Sequence, residues 1–282
     1  MNDIHQDTQH RPTIEYIEVD GVRLRVAVQR GAGRGTPLLI FNGIGANFEI
    51  VFPFMEAMDG TEMIIFDVPG VGRSPMSWRP RRFSGLSRLT ARLLDRLGYP
   101  EVDVAGVSWG GALAQQFARQ YPRRCRRLIL AATSAGAVMI PGRPKALTKM
   151  VTPQRYLSPN YMKRAAADIY GGEARSNPDF ITEHSSRIIA PRVFGYLYQL
   201  LAGIGWTSIH WLHRLKQPTL IMAGADDPLV PPANARILSF LVPNNRLFIV
   251  PGGGHLFMLH SIGKVVPVVQ DFLSAREPIR AR

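Results

Sequence analysis

Hydrophobic runs alternate with amphipathic segments along most of the chain. Short apolar runs predict eight β-strands, over residues 14–19, 23–28, 38–41, 63–66, 102–107, 128–132, 219–223 and 246–250. Asp20 and Gly21 join the first two runs and are typical of a hairpin turn. The later runs are separated by helical or loop segments, which favours parallel pairing through crossovers. The pattern predicts an α/β protein with a mostly parallel eight-stranded sheet and helices on both faces.

This alternation stops between residues 134 and 212. No convincing strand pattern occurs there and aromatic residues are dense, which indicates an inserted, mostly helical cap. We therefore predict a core made of residues 13–133 and 213–276, a cap over 134–212, and flexible tails at 1–12 and 277–282.

Residues 193–213 of the predicted cap, VFGYLYQLLAGIGWTSIHWLH, contain no Asp, Glu, Lys or Arg. A membrane-spanning helix needs about 20 predominantly apolar residues, and this stretch is interrupted by glycines, a glutamine and histidines. We interpret it as an apolar wall or lid that faces an apolar substrate. Its candidate substrate-binding residues, each with packing inside the cap as the alternative, are Phe194, Tyr196, Tyr198, Trp206 and Trp211.

The length of 282 residues fits one large α/β domain with a smaller insertion, and a hydrophobic content of 46% is sufficient for a packed core. The single cysteine, Cys125, excludes a disulfide within the chain and is predicted to be buried. The N-terminal dozen residues are polar and lack the apolar region of a signal peptide. We therefore expect a cytoplasmic protein.

The net charge is +13, from 29 Arg and 5 Lys against 21 acidic residues. The arginines are scattered, apart from two clusters at 79–82 and 123–127, and no nucleic-acid-binding motif accompanies them. We expect solvated basic faces and no nucleic-acid partner, with docking to an anionic surface as the alternative. No transmembrane segment is expected.

The segment GVSWG at 106–110 joins a predicted strand to a predicted helix. Gly106 and Gly110 flank Ser108 at positions where a sharp strand–helix turn leaves no room for a side chain. This pattern is that of a nucleophile elbow, which exposes a serine hydroxyl above the sheet edge. The alternative is a glycine-rich turn with an incidental serine. Ser108 is therefore the candidate nucleophile.

A serine nucleophile needs a histidine as base and a carboxylate that orients the histidine. In a doubly wound sheet both belong on loops that follow later strands. The loop after the seventh predicted strand offers Asp226 and Asp227, and the loop after the eighth offers His255. His260 lies in the next predicted helix and is interpreted as structural. Such a site requires no metal and no other cofactor.

An oxyanion hole requires two backbone N–H groups. One is expected from Trp109, which follows the nucleophile at the start of the helix. The other is expected from Ile44, because LLIFNGIGAN resembles the His-Gly-x-Gly loop of α/β-hydrolases, with Asn42 where histidine is common. Asp67, in FDVPGVGRS, is interpreted as an organiser of its loop and not as a catalyst.

Together these motifs resemble the α/β-hydrolase fold. The chain is also similar to the intracellular poly(3-hydroxyalkanoate) depolymerases that act on medium-chain-length polyesters. The segments that carry this similarity are PLLIFNGIGAN, FDVPGVG, GVSWGGALAQQFA, GWTSIHWLH and GHLFM. The resemblance implies cleavage of stored polyester through an acyl-enzyme, without a cofactor, at granules in a bacterial cytoplasm. It also implies Ser108 as nucleophile, His255 as base and Asp227 as acid, since the acid directly precedes a P-x-V-P stretch in similar hydrolases.

Two other functions remain open at this stage. One is hydrolysis of esters or C–C bonds in small molecules on the same fold, because a fold does not determine its substrate. The other is a non-catalytic protein that binds granules through an inactive hydrolase scaffold. The complete set of serine, aspartate and histidine argues against the second.

Overall fold

The structure is a computed structural model that describes residues 12–31 and 35–275. Its strands are β1 (Thr13–Val19), β2 (Val22–Gln29), β3 (Leu38–Phe41), β4 (Met63–Phe66), β5 (Val102–Val107), β6 (Cys125–Ala131), β7 (Thr219–Gly224) and β8 (Asn245–Val250). All eight predicted strands are confirmed. The largest difference is that β6 starts at the buried Cys125, three residues before the predicted start.

Eleven α-helices connect or cover these strands in the described part of the chain. They are α1 (Phe52–Ala57), α2 (Phe83–Leu97), α3 (Trp109–Gln120), α4 (Pro144–Thr148), α5 (Gln154–Leu157), α6 (Pro159–Tyr170), α7 (Pro178–Ser186), α8 (Val193–Gly203), α9 (Ala233–Leu241), α10 (Phe257–His260) and α11 (Ile262–Ser274). Short 3₁₀ turns lie at Phe48–Val51, Gly172–Arg175 and Leu212–Arg214.

The strands form one sheet in the order β1-β2-β4-β3-β5-β6-β7-β8. β2 pairs antiparallel with both β1 and β4, and every other pairing is parallel. The prediction of a mostly parallel eight-stranded sheet is confirmed. Because the carboxyl ends of the parallel strands lie at one edge, the loops that follow them meet there.

Alternating strand residues feed two separate hydrophobic cores, one on each face of the sheet. Leu39 of β3 packs with Phe83 of α2 and Leu113 of α3, whereas its neighbour Ile40 packs on the opposite face with Phe272 of α11. Adjacent strand side chains point to opposite faces, so short, wholly apolar strands require helices on both sides. The predicted arrangement of helices on both faces is confirmed.

Residues 134–212 contain the five helices α4 to α8 and no strand. An isolated antiparallel bridge between Gly136 and Thr207 joins the two ends of this segment. A small hydrophobic cluster contains Met162, Ile169 and Ile181 of this segment together with Leu229, which follows β7. The proposed boundaries of core and cap stay a prediction, and the predicted flexible tails, apart from Pro12, lie outside the described residues.

The turn between β5 and α3 is as tight as the glycine pattern predicted. Ser108 has φ +55°, a left-handed conformation that is costly for a residue with a side chain. A Cβ on Gly110 would lie 2.1 Å from the carbonyl oxygen of Phe41, and one on Gly106 would lie 2.4 Å from the carbonyl oxygen of Gly110. The first turn of α3 therefore touches the end of β3 directly.

Within residues 12–31 and 35–275, every helix is too short or too polar to cross a lipid bilayer.

Gly110→Ala is expected to lower the free energy of unfolding, because the added methyl group would overlap backbone atoms of Phe41. Overpacking of this kind costs about 1–3 kcal/mol. Gly85→Ala is the matched control, since a Cβ there approaches Arg81 Cβ at 3.6 Å, an ordinary contact. Alanine in a helix is favoured over glycine by about 0.5–1 kcal/mol. Urea unfolding compares the two variants, and a Gly110→Ala protein as stable as Gly85→Ala would contradict the close approach.

Candidate active site

Ser108, His255 and Asp227 form a hydrogen-bonded relay at the carboxyl edge of the sheet. His255 Nε2 lies 3.1 Å from Ser108 Oγ, and His255 Nδ1 lies 2.7 Å from Asp227 Oδ2. All three residues lie on loops or turns that follow β5, β7 and β8. The positive φ of Ser108 forms part of the sharp turn between β5 and α3. The structure thus brings together the three residues that the sequence analysis selected.

Backbone groups fix both partners of the serine. Asp227 Oδ1 accepts hydrogen bonds from the N–H groups of Leu229 at 2.8 Å and Val230 at 2.9 Å, which leaves Oδ2 for the imidazole. The backbone N–H of His255 donates to the carbonyl oxygen of Tyr170 at 2.6 Å. Asp227 and His255 are both buried, so the relay is shielded from bulk water.

The two residues considered as alternatives lie elsewhere. Asp226 Oδ2 accepts from the backbone N–H of Gly172 at 2.9 Å and pairs with Arg175, away from the imidazole. His260 Nδ1 lies 3.3 Å from Glu173 and its ring packs edge-on against Phe180. Both residues therefore tie the loops around the site together and do not belong to the relay.

The expected oxyanion donors flank the serine. Trp109 begins α3 directly after Ser108, and Ile44 lies in the loop after β3. Ile44 lines the same cavity as Ser108, and its N–H has no acceptor among the described residues. An N–H group that is free at this place can bind developing negative charge on a substrate oxygen.

Residues of the 134–212 segment hold this loop in place. The carbonyl oxygen of Ile44 accepts from the Tyr156 hydroxyl at 2.7 Å and from Arg155 Nη2 at 3.3 Å. The next residue, Gly45, donates its N–H to Gln199 Oε1 at 2.7 Å. Both carbonyl and amide groups around Ile44 are thus fixed by side chains from α5 and α8.

The core side of the loop depends on Asn42 and Asp67. Asn42 Nδ2 donates to the carbonyl oxygen of Asn47 at 2.9 Å and so closes the loop on itself. Asp67 accepts from the backbone N–H of Phe48 at 2.9 Å and of Arg73 at 3.2 Å. Burial raises the pKa of Asp67 to about 7. These contacts agree with the interpretation of Asp67 as an organiser of its loop.

The cavity in front of Ser108 is mainly apolar. Its apolar lining includes Ile40, Ile50, Val51, Phe54, Met150, Leu256, Met258 and Leu259, and its polar lining includes Arg155, Tyr156, Tyr170 and His184. Burial and the nearby charges of Arg155 and Arg187 lower the pKa of His184 to about 4, so this histidine is neutral at pH 7. Such a cavity suits an alkyl chain.

The five aromatic residues predicted as substrate contacts do not line this cavity. Tyr196 is fully buried, with its hydroxyl bonded to Arg155 and to the carbonyl oxygen of Met150. Trp211 is buried in the core beside Trp206, whose Nε1 donates to Gln116.

Tyr198 contacts a separate shallow depression, and Phe194 is 67% exposed on the surface. These five aromatics therefore do not line the cavity at Ser108, and their contact with substrate stays a prediction. An uncharged segment indicates that side chains are buried or apolar, but not which surface they face.

Sequence reasoning missed Arg155, Tyr156 and Gln199, which contact the loop at Ile44 and Gly45. They lie in a segment without recognisable motifs, and Arg155 is one of 29 arginines in the chain. The single local signal is that the short helix α5 lies between Pro153 and Pro159. In the described part of the chain, no group of three or more His, Cys, Asp or Glu side chains could hold a metal ion.

Comparisons with known proteins extend this description. A family model for the alpha/beta hydrolase fold matches residues 36–261. A curated relative, the poly(3-hydroxyalkanoate) depolymerase of Ectopseudomonas oleovorans, is 54% identical over 258 residues, which cover 91% of this chain and 91% of that protein.

Solved structures agree in fold. The enol-lactonase of Burkholderia xenovorans superposes with a TM-score of 0.79 at 19% identity, covering 93% of this chain and 100% of that one. A hydrolase from Pseudomonas aeruginosa gives a TM-score of 0.77 at 23% identity, with coverage of 93% and 99%. The chain therefore belongs to the α/β-hydrolase family and, within it, is a homologue of poly(3-hydroxyalkanoate) depolymerase.

Proposed function

We propose that this protein is a serine hydrolase that cleaves the ester bonds of medium-chain-length polyhydroxyalkanoate through an acyl-enzyme. The observation that carries the proposal is the relay from Asp227 through His255 to Ser108, which opens into an apolar cavity. The relative that is 54% identical is named for the depolymerisation of poly(3-hydroxyalkanoate), and this supports the same class of substrate here.

In this mechanism His255 Nε2 takes the proton of Ser108 as Oγ attacks the ester carbonyl. Asp227 keeps the Nδ1–H tautomer of the imidazole and stabilises the imidazolium that forms. The alcohol end of the cleaved chain leaves with the proton from His255. His255 then takes a proton from a water molecule, which attacks the acyl carbon of the acyl-enzyme. The proton returns to Ser108 Oγ as the acid leaves, and the free serine is restored.

The N–H groups of Ile44 and Trp109 hold the oxyanion of each tetrahedral intermediate. The start of α3 adds the positive end of its helix dipole at the same place. Because the loop of Ile44 is fixed by hydrogen bonds on both sides, its N–H needs no reorganisation when charge develops. Preorganisation of this kind is the usual source of the rate advantage in acyl transfer.

The side chains of the polyester are alkyl groups, and the apolar lining of the cavity can remove them from water. Each CH₂ group buried contributes about 0.8 kcal/mol. The cavity therefore favours acyl or alcohol groups with several methylenes over short ones.

In this proposal, the outer face of α8 contacts the polyester granule in the cytoplasm. Its apolar side chains are exposed along one stripe, formed by Val193, Phe194, Leu197, Leu201 and Ile204. A continuous exposed apolar stripe of this kind marks an interaction site. Phe194 thus keeps a role in substrate binding, at the granule surface and not at the cavity.

Ser108→Ala is expected to reduce ester hydrolysis by at least about 10³-fold, because the nucleophile is lost while the fold is retained. Ser186→Ala is the control, since this exposed serine only donates to the carbonyl oxygen of Glu183. Turnover of polyester granules and labelling by a fluorophosphonate probe are measured for both. Labelling of the Ser108→Ala protein at the normal rate would refute the serine mechanism.

Asp227→Asn is expected to lower kcat by about 10⁴-fold, because an amide favours the wrong imidazole tautomer. Asp226→Asn removes an ion pair outside the relay and is expected to cost less than about tenfold. The two variants differ by one position and make the same chemical change. Equal losses of kcat, or a larger loss at Asp226, would contradict the proposed relay.

Phe194→Glu is expected to lower the ratio of polymer degradation to short-ester hydrolysis by about tenfold, because a charge prevents the apolar stripe from leaving water. Phe240→Glu makes the same change at another exposed phenylalanine, on α9, and should leave the ratio unchanged. Release of 3-hydroxy acids from granules and hydrolysis of a soluble aryl ester give the ratio. Equal effects of the two variants would remove α8 from granule binding.

A further inference from the structure

The guanidinium of Arg155 is buried next to the nucleophile with no carboxylate to balance its charge. Arg155 is 2% exposed and lines the same cavity as Ser108 and His255. Within residues 12–31 and 35–275, none of the ion pairs involves it. Arginine keeps its charge in proteins, and a buried charge without a partner is costly.

The groups around this guanidinium are neutral. Nη1 donates to the Tyr196 hydroxyl at 2.9 Å, and Nη2 donates to the Tyr156 hydroxyl and the carbonyl oxygen of Ile44, both at 3.3 Å. Burial raises the pKa of Tyr196, which keeps this phenol protonated, and His184 is uncharged. The local surroundings therefore orient the positive charge but do not neutralise it.

One donor of the guanidinium is left over. The Nε–H of Arg155 is fully buried and makes no hydrogen bond of normal geometry to the described residues, although the hydroxyl of Tyr170 also interacts with this guanidinium. A charged N–H group without an acceptor forms a strong hydrogen bond to a carboxylate oxygen. Arg155 thus has the charge, the free donor and the place on the cavity wall that a carboxylate receptor needs.

The location of Arg155 relates it to the reaction. Its Nη2 contacts the carbonyl oxygen of the same residue, Ile44, whose N–H is assigned to the oxyanion. Arg155, Ile44 and Ser108 line one cavity, so an anion held at Arg155 would lie in the cavity that receives the scissile ester. In a 3-hydroxyalkanoate chain the free terminal carboxylate is separated from the last ester bond by only one 3-hydroxyacyl unit.

We propose that Arg155 binds the free carboxylate at the end of the polyester chain or of a short oligomer, so that the enzyme releases the carboxyl-terminal unit as a 3-hydroxy acid. This inference rests on the proposed function and adds the end of the polyester chain from which units are released. Ser108 Oγ forms a bond to the acyl carbon of the penultimate unit as the ester C–O bond breaks. The terminal unit leaves as an alcohol with the proton from His255, and water later frees the remaining chain as a new carboxylate.

The decisive comparison uses the wild-type protein and two soluble substrates at pH 8. One is the dimer of 3-hydroxyoctanoic acid with its free carboxylate, and the other is the primary amide of the same dimer, which has the same shape without the charge. Charge-assisted hydrogen bonds of this kind correspond to about 10- to 100-fold in kcat/KM in favour of the acid. Equal kcat/KM values for the two dimers would overturn the role of Arg155 and leave ester cleavage standing.

Arg155→Gln then tests the residue itself. The ratio of kcat/KM for acid over amide should fall to about one, whereas Arg164→Gln, which removes an exposed charge from α6, should keep the wild-type ratio. A parallel loss for acid and amide would mean that Arg155 only clamps the Ile44 loop, and it would overturn the carboxylate site.

The wild-type comparison decides the question even if Arg155→Gln fails to fold. A wild-type protein that hydrolyses aryl esters but neither dimer nor polymer would instead overturn the proposed polyester function. Inhibition of aryl-ester hydrolysis is an independent test. Octanoate should inhibit this reaction at about 10- to 100-fold lower concentration than octanamide. Equal inhibition by the two would again contradict a carboxylate receptor.

Discussion

The active site depends on the direct contact between the first turn of α3 and the end of β3. The backbone of Gly110 lies so close to the carbonyl oxygen of Phe41 that no other residue fits there. To bring the helix this near, the chain reverses at Ser108 with a positive φ, a conformation that costs about 1–3 kcal/mol and has to be held by its surroundings. Hydrogen bonds from Ser108 N–H to Ala131 and from Thr133 Oγ1 to the Ser108 carbonyl hold it. The same contact places Ser108 beside the loop that follows β3.

Parallel pairing converts this local constraint into a three-residue site. β5, β6, β7 and β8 are paired in parallel, so the loops after β5, β7 and β8 lie at the same edge. Ser108, Asp227 and His255 meet there although more than a hundred residues separate the first from the others. Burial of Asp227 and its two backbone hydrogen bonds then leave one carboxylate oxygen for the imidazole.

Signals in the sequence are strongest where a residue's role is fixed by its own neighbours. The apolar runs gave all eight strands, and the glycines around Ser108 located the turn, because both depend on a few adjacent residues. The lack of charge in the 193–213 segment did not indicate which surface its aromatic residues face. None of the five candidates lines the cavity at Ser108, and Tyr196 packs against Arg155. The two prolines on either side of Arg155 did not identify its role, because an arginine near prolines is also typical of a solvated turn, and only its three-dimensional surroundings reveal its burial.

The hydrogen bonds from Arg155, Tyr156 and Gln199 to the Ile44 loop have a consequence for how this enzyme can evolve. A substitution that reshapes the segment over the cavity also shifts the backbone of Ile44, whose N–H we assign to the oxyanion. Selection for a new substrate size therefore acts on turnover at the same time, and the segment cannot be exchanged between hydrolases as an independent module. Lineages that broaden their substrate range should acquire compensating changes in the Ile44 loop, so that the two regions diverge together.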